Sequence, residues 1–299
     1  MQEAFSYLSF AAERGSAIAQ FRLGAIHSQR SSRFYDPEES IRWFKAAAEN
    51  GHRQAQLSYA IALLSGMNVK KNMALAVEML ERSAEQGYAV AEYNLGVLFL
   101  HGDGVEQREE EAVRWLTAAA QGGSVEGWFL LGMCYELGRG TECDGEKAFE
   151  CYERSADGGW SSALIALGSC YEFGKGVMRS EAEAFRLYEE AADVNVRAIA
   201  QLARCYQDGV GVEKNLTKAV ELNMIAADAD VKANVNLGIA YQYGIGVPRS
   251  DEEAFLWFER AAEQGDADGM MNVALCYSSG RGVKEDAAKC VMQSLVTDT

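Results

Sequence analysis

The sequence predicts an all-α fold, a right-handed α/α superhelix (solenoid) of about eight stacked helix pairs with an additional N-terminal half repeat. Three observations lead to this prediction. The sequence repeats with a period of 36 residues, which shortens to 35 in its second half. The 29 glycines recur at fixed places in that period, whereas proline occurs only twice. Apolar residues within each period have helical spacing, and units this short bury an apolar face only by stacking on their neighbours.

The first helix of each repeat, helix A, contains a leucine followed by glycine or alanine, with an aromatic residue three positions later. Leu131-Gly132 with Tyr135 shows the pattern. Helix A then ends at two glycines, which can supply the left-handed conformation that closes a helix. The pairs are Gly102/Gly104, Gly138/Gly140, Gly174/Gly176, Gly209/Gly211, Gly244/Gly246 and Gly280/Gly282.

The second helix, helix B, begins after a residue whose side chain can accept a hydrogen bond from free backbone N–H groups. A small residue follows four positions later and a large one three positions beyond it, as at Ala112 and Trp115. Small residues that meet large ones predict a close helix crossing. The predicted N-cap positions are Asp36, Asn72, Arg108, Asp144, Ser180, Asn215, Ser250 and Asp286.

Written as one pattern, the unit is A-x-x-x-L-G-x-x-Y-x-x-G-x-G-V followed by a helix that ends A-A-E-x-G. It resembles the Sel-1-like repeat, a relative of the tetratricopeptide repeat, whose own period is about 34 residues. The resemblance covers essentially the whole chain and implies a single solenoid domain. Its units are a half repeat at 1–15 and repeats at about 16–51, 52–87, 88–123, 124–159, 160–195, 196–230, 231–265 and 266–299.

The resemblance implies a non-enzymatic adaptor or scaffold that binds other proteins. Members of the family act in membrane-associated degradation complexes, as activators of cell-wall synthases and as bacterial host-interaction factors. Two alternatives are a structural solenoid that self-associates through its end helices and a regulatory subunit that activates a membrane-associated enzyme. The first repeat departs from the pattern, because residues 30–35 (Arg-Ser-Ser-Arg-Phe-Tyr) stand where the glycine pair belongs. This basic, aromatic turn is a rival binding surface.

The charge of the chain indicates what kind of partner it can bind. Its 44 acidic and 28 basic residues give a net charge of −16, which repels nucleic acids and anionic membrane surfaces. A basic or amphipathic protein segment is the partner that this charge favours. No stretch approaches the roughly 20 apolar residues that span a bilayer, and the first residues lack the features of a secretory signal. We therefore expect a cytoplasmic protein without membrane insertion.

No motif predicts a catalytic residue, a cofactor or a metal site, and a hydrolase is the least favoured function. The glycine pairs follow no strand and do not continue into G-K-S/T, so they are not phosphate loops. The three histidines lie in different repeats without ligand spacing. Seven cysteines without a C-x-x-C motif favour a reducing compartment. All but the turn residue Cys143 occupy apolar packing positions: Cys134, Cys151, Cys170, Cys205, Cys276 and Cys290.

The resemblance implies that helix A lines the concave face, where a partner would bind. Residues beside the buried leucine and tyrosine positions turn toward this groove and vary between repeats. We expect the aromatic Phe173 and Tyr243 to anchor a partner segment, and Glu136 and Glu172 to receive one of its basic residues. The candidate binding residues are Arg22, Asn94, His101, Glu136, Glu172, Phe173, Arg204, Gln207, Asn236, Gln242, Tyr243 and Asn272.

Overall fold

The computed structural model of the protein describes residues 2–284, which contain sixteen helices and no strand. The predicted all-α fold of helix pairs is confirmed, whereas the helix predicted after Asp286 and the packing role of Cys290 lie outside the described residues. The helices are α1 (Gln2–Glu13), α2 (Ala17–Ser28), α3 (Pro37–Glu49), α4 (Arg53–Ser65), α5 (Met73–Ala84), α6 (Ala89–His101), α7 (Glu109–Gln121), α8 (Val125–Leu137), α9 (Gly145–Asp157), α10 (Ser161–Phe173), α11 (Glu181–Ala192), α12 (Val196–Asp208), α13 (Leu216–Ala226), α14 (Val231–Tyr243), α15 (Asp251–Glu263) and α16 (Ala267–Ser279).

Even-numbered helices are helix A and odd-numbered helices are helix B of the repeats. Each helix A packs on the helix B that follows it, and within each of the two units given next that helix B packs in turn on the next helix A. Contacts divide the chain into two compact units, Met1–Trp160 with α1 to α9 and Ser161–Thr299 with α10 to α16. The first unit has a continuous core from Phe44 to Cys151. The core of the second unit includes clusters around Tyr188, Leu237 and Phe258.

Local signals determine where the helices begin and end. The Asp36 carboxylate accepts hydrogen bonds from two N–H groups of the first turn of α3, both at 3.1 Å. Arg108 is the one predicted N-cap in the described chain whose side chain makes no such bond. At the other end of helix A, the first glycine of the pair is left-handed, as at Gly138 with φ 65°. The turn then closes when the next N-cap N–H donates back to helix A, as Asp144 does to Tyr135 at 2.9 Å.

Helix A glycines allow the two helices of a repeat to approach closely. A methyl group on Gly132 would collide with the ring of Tyr152, and one on Gly238 would collide with Phe258. Both rings are fully buried. From the sequence, we predicted Trp257 as the large packing residue of helix B in the seventh full repeat. The residue that contacts the helix A glycine is Phe258, one position later. Both positions are apolar in most repeats, so composition alone does not distinguish them.

The first turn keeps its length without glycines by using side-chain hydrogen bonds. Asp36 still donates from its backbone N–H to the His27 carbonyl at 3.0 Å, as in the other repeats. Nδ1 of His27 lies 2.6 Å from the carbonyl oxygen of Phe34, which can only accept. The Phe34 N–H donates to Oγ of Ser32 at 3.1 Å. The Phe34 ring stacks on Phe5 of α1, with 4.0 Å between the ring centres. The turn is therefore an ordered aromatic surface.

Buried amides join successive repeats in the first unit. Nε2 of Gln20 donates to the Ala12 carbonyl at 3.0 Å, and Gln56 makes the same bond to Ala48 at 3.3 Å. Glu92 occupies the equivalent position of the third repeat and is buried. An ionised carboxylate cannot donate a hydrogen bond to a carbonyl oxygen. Burial raises the pKa of Glu92 above the ordinary carboxyl value, because the charged form loses hydration.

We expect Glu92→Gln to stabilise the protein by about 1 kcal/mol at pH 7, since glutamine can donate as Gln56 does. Because folding raises the pKa of Glu92, protonation of this carboxyl group stabilises the folded protein at pH values below the ordinary carboxyl pKa. This contribution to the free energy of unfolding is lost as the pH rises through the raised pKa. The gain from glutamine should therefore shrink toward about pH 4. Thermal unfolding at both pH values checks this. Glu85→Gln, an exposed control, should show no such difference, and equal gains for Glu92→Gln at both pH values would contradict the argument.

Candidate partner-binding site

The helices A of the second unit expose several large apolar side chains. Phe173 is 62 % exposed and Tyr243 is 66 % exposed. Ile239 lies four residues before Tyr243, on the same face of α14, and Leu275 holds the equivalent position of α16. Both of these side chains are also exposed. We call the following set the helix A stripe: Phe173, Gln207, Asn236, Ile239, Tyr243 and Leu275.

The other candidates in the second unit are less accessible. Arg204, Gln242 and Asn272 are half-buried. Nδ2 of Asn272 donates to the Asp268 carbonyl one turn earlier in α16, at 2.8 Å. This bond holds the Asn272 side chain against its own helix, whereas the Asn236 side chain is exposed.

In the first unit the candidate residues lie on three separate helices. Arg22 of α2 and His101 at the end of α6 are exposed. Asn94 is half-buried, and its Nδ2 donates to the Val90 carbonyl at 2.6 Å. Glu136 of α8 is half-buried, and its Oε2 accepts a hydrogen bond from the Tyr152 hydroxyl at 2.7 Å. Tyr152 thereby orients the Glu136 carboxylate.

Glu172 does not offer its carboxylate to a partner, contrary to the expectation from the sequence. Its side chain is only 6 % exposed. Arg204 of the next repeat binds it with both guanidinium nitrogens, Nη1 to Oε1 at 2.8 Å and Nη2 to Oε2 at 2.5 Å. The hydroxyl of Tyr188 also donates to Oε2, at 3.0 Å. A basic residue of a partner would have to displace Arg204, so the pair has a structural role between α10, α11 and α12.

The same network shifts the pKa values of its other members. Hydrogen bonding to Glu172 raises the pKa of Arg204. Burial, followed by the negative charge of Glu172, raises the pKa of Tyr188 far above the ordinary phenol value. Tyr188 therefore remains a hydrogen-bond donor and Arg204 a cation throughout the physiological range. The network is therefore a fixed ion pair with a neutral hydroxyl donor.

The rival surface at the first turn borders an open groove of about 860 Å³ in the first unit. Phe5 and Leu8 of α1, Ile26 of α2 and Phe34 form much of its apolar lining. Two cationic side chains, Arg22 and Arg33, also line it. The groove therefore combines an apolar floor with positive charge, whereas the chain as a whole is acidic.

Metal-ligating side chains do not cluster in the described part of the chain. No group of three or more His, Cys, Asp or Glu side chains there could hold a metal ion. Burial raises the pKa of Cys134 to about 11 and that of Cys151 to about 12, so both thiols stay protonated. The predicted burial of the helix A cysteines is confirmed, and Cys143 is exposed in its turn. Among residues 2–284, no helix is long and apolar enough to cross a bilayer.

Sequence reasoning missed Ile239 and Leu275 of the helix A stripe. Both occupy one position of the repeat, which is Ser169 and Arg204 in the other repeats of this unit. The residue type at this position therefore varies between repeats, as we expect of a position that binds a partner. Each also lies four residues before the repeat position that Tyr243 holds in α14, on the face already assigned to partner binding. This four-residue spacing is the sequence signal that could have identified both residues.

Helix pairs, left-handed glycine turns and side chains exposed along helix A define a helical-repeat protein of the tetratricopeptide-like class. The Sel1 repeat model matches residues 1–16, 17–52, 53–88, 89–124, 129–160, 161–195, 196–229, 231–266 and 267–292. The chain belongs to the Sel1 repeat family. Proteins of this family generally mediate protein–protein interactions and are typically non-enzymatic scaffolds.

Solved structures of Sel1 repeat proteins are similar to this chain over nearly its whole length. One is c5321, described as a protective antigen of uropathogenic Escherichia coli strains with an SLR fold; it is 29% identical, with a TM-score of 0.80. That match covers 98% of this chain and 64% of c5321, so the chain spans less than two thirds of that protein. A Sel1 repeat protein from Oxalobacter formigenes is 28% identical, with a TM-score of 0.77 and coverage of 98% and 85%.

Yeast Tom70 shares the fold at much lower sequence similarity. It is 13% identical to this chain, with a TM-score of 0.53, and the match covers 94% of this chain and 60% of Tom70. At this identity the similarity concerns the fold alone.

Proposed function

We propose that the protein is a non-enzymatic adaptor whose second unit binds a segment of another protein along the helix A stripe. The exposed apolar side chains of the stripe carry this proposal. Phe173 and Tyr243 occupy one repeat position two repeats apart, and Ile239 and Leu275 occupy another in adjacent repeats. These groups give an extended segment successive anchor points. Aromatic side chains such as Phe173 and Tyr243 are the residue type most often dominant in binding energy. The acidic chain favours a basic or amphipathic segment. The buried thiols are compatible with binding in the cytoplasm.

A double substitution tests this proposal. Phe173→Ala/Tyr243→Ala should reduce capture of the partner by about tenfold or more, because two anchors are truncated. Tagged wild-type and variant proteins would be purified from native cells, and the proteins that accompany each would be quantified by mass spectrometry. Circular dichroism should show equal helicity, since neither side chain is buried. Capture should also weaken as salt rises, because charge attraction is screened.

The matched control lies on helix B of the same unit. Ile225 is 60 % exposed and Leu256 is 55 % exposed, so Ile225→Ala/Leu256→Ala removes similar apolar area from the other helices. The proposal expects a protein that is lost from the stripe variant and retained by this control. If both variants capture the same proteins as the wild type, the stripe is not the binding surface.

Self-association is a second candidate function, favoured by the apolar side chains that α1 and α2 expose. Tyr7 and Phe10 of α1 and Ile18 of α2 are all largely accessible. An assembly through this surface would grow with protein concentration. Light scattering over a concentration series tests it, with Tyr7→Ser/Phe10→Ser as the variant that should remain at its smallest size. A constant mass for the wild-type protein would exclude this function.

A further inference from the structure

One repeat of the second unit replaces a core side chain with a polar one. At the helix B position that covers the small residue of helix A, the other described repeats carry a buried apolar or aromatic side chain: Phe44, Leu80, Leu116, Tyr152, Tyr188 and Phe258. In α13 this position is Asn223, which is only 4 % exposed. Its Oδ1 atom is buried without a hydrogen-bond partner. Such an acceptor destabilises a folded protein, so its presence in a repeated core position calls for a compensating role.

The shorter side chain borders a cavity of about 80 Å³ between α12, α13 and α14. This volume exceeds that of one water molecule and can hold a group of a few heavy atoms. Three carboxamide side chains line it, those of Gln207, Asn223 and Asn236. Aliphatic side chains, among them Val220 and Ile239, complete the wall. Among residues 2–284, none of those that line the cavity is charged.

The cavity belongs to the surface proposed to bind a partner. Gln207, Asn236 and Ile239 are members of the helix A stripe and also line the cavity. Tyr243 lies four residues beyond Ile239 on the same helix face. A segment bound along the stripe would therefore pass the cavity and could place one side chain in it.

We propose that this cavity is a recognition pocket for an uncharged primary carboxamide, the end group of an asparagine or glutamine, carried by the segment that binds the helix A stripe. The inference rests on the proposed function. The NH₂ of such a group donates to Oδ1 of Asn223, and its oxygen accepts from the amide of Gln207 or Asn236. A cation would lose hydration without a balancing negative charge. A carboxylate would bring a second acceptor, and no donor, toward Oδ1 of Asn223.

Acetamide tests the chemistry of the pocket without any partner. In the full chain, acetamide should shift the NMR signals of the Asn223 side-chain amide and the Ile239 methyl groups, with half-saturation at roughly 10–100 mM for so small a ligand. Acetate and methylammonium, its charged counterparts of similar size, should not. Shifts that fail to saturate, or that all three compounds produce equally, would overturn the pocket. A crystal soaked in acetamide that holds only water at Asn223 would do the same.

Asn223→Leu is the variant that separates binding from folding, because leucine is the residue of the second and third repeats at this position. It should raise the melting temperature by about 3 °C, abolish the acetamide shifts and reduce capture of the partner by at least about tenfold. A more stable variant cannot lose binding through misfolding. Unchanged capture would overturn the role of the pocket in recognition.

Failure of the acetamide experiment leaves the adaptor function standing, because that function is tested by Phe173→Ala/Tyr243→Ala with its helix B control. Failure of that capture experiment, with acetamide bound at Asn223, would instead overturn the adaptor site and the placement of the carboxamide on a partner segment. The two outcomes are therefore distinguishable.

Discussion

Alanine at Gly246 should lower the free energy of unfolding in the second unit by at least about 3 kcal/mol. Gly246 is the second glycine of its pair and has φ 72°, a conformation that alanine adopts only at a cost. A methyl group there would also overlap the carbonyl of Leu216, in the first turn of the preceding helix B, α13. Backbone atoms cannot move aside as a flexible side chain can, so α13 and the turn must separate.

Gly265→Ala is the matched control for this prediction. Gly265 also has a positive φ, 86°, but no atom lies within 4 Å of an added methyl group. Its substitution should cost only the strain of the left-handed conformation, about 1 kcal/mol. Native-state hydrogen exchange in α13 to α15 measures both effects, because repeat proteins open in parts rather than as a whole. Equal losses for the two variants would show that the contact with Leu216 is unimportant.

These two glycines illustrate how far the sequence predicted the fold. The repeat period, the N-caps and the left-handed helix ends follow from local rules, and they recur often enough for the pattern to be read without a structure. The need for glycine at Gly246 does not follow from local rules alone, because it also arises from contact with the preceding helix B. Gly140 and Gly211 make the same close approach, to Glu109 and Glu181. Only the packing of neighbouring repeats reveals this constraint.

The candidate site was predicted less completely than the fold. The exposure of Phe173 and Tyr243 follows from their place in the repeat, since positions beside the buried stripe of a helix face outward. The ion pair of Glu172 with Arg204 and the cavity beside Asn223 depend on which side chains neighbouring repeats bring together. Pairing of this kind varies from repeat to repeat, so the shared pattern contains no information about it. Departures from the pattern are where function is best sought.

Among the ion pairs of the second unit, we expect loss of the Glu172–Arg204 pair to lower the free energy of unfolding the most. Its carboxylate is nearly inaccessible, whereas most other pairs of this unit are exposed on helix surfaces. Removal of one partner of a buried pair leaves an uncompensated charge, which costs more than the attraction between two exposed groups. Replacement of both partners by apolar residues removes the charge together with its counter-ion.

Arg204→Met should therefore destabilise the second unit by about 3 kcal/mol, because the Glu172 carboxylate is left buried with the Tyr188 hydroxyl alone. Glu172→Met/Arg204→Met should recover most of this loss, and the double-mutant cycle gives the coupling between the two residues. Arg186 is a suitable control, since it also contacts two carboxylates, those of Glu183 and Glu190, but on an exposed face of α11. Arg186→Met should cost less than about 1 kcal/mol. Urea denaturation of the wild type, Glu172→Met, Arg204→Met, the double variant and the Arg186→Met control measures these differences. A similar small loss for both single arginine variants would show that burial of Glu172 does not determine the energy of its pair.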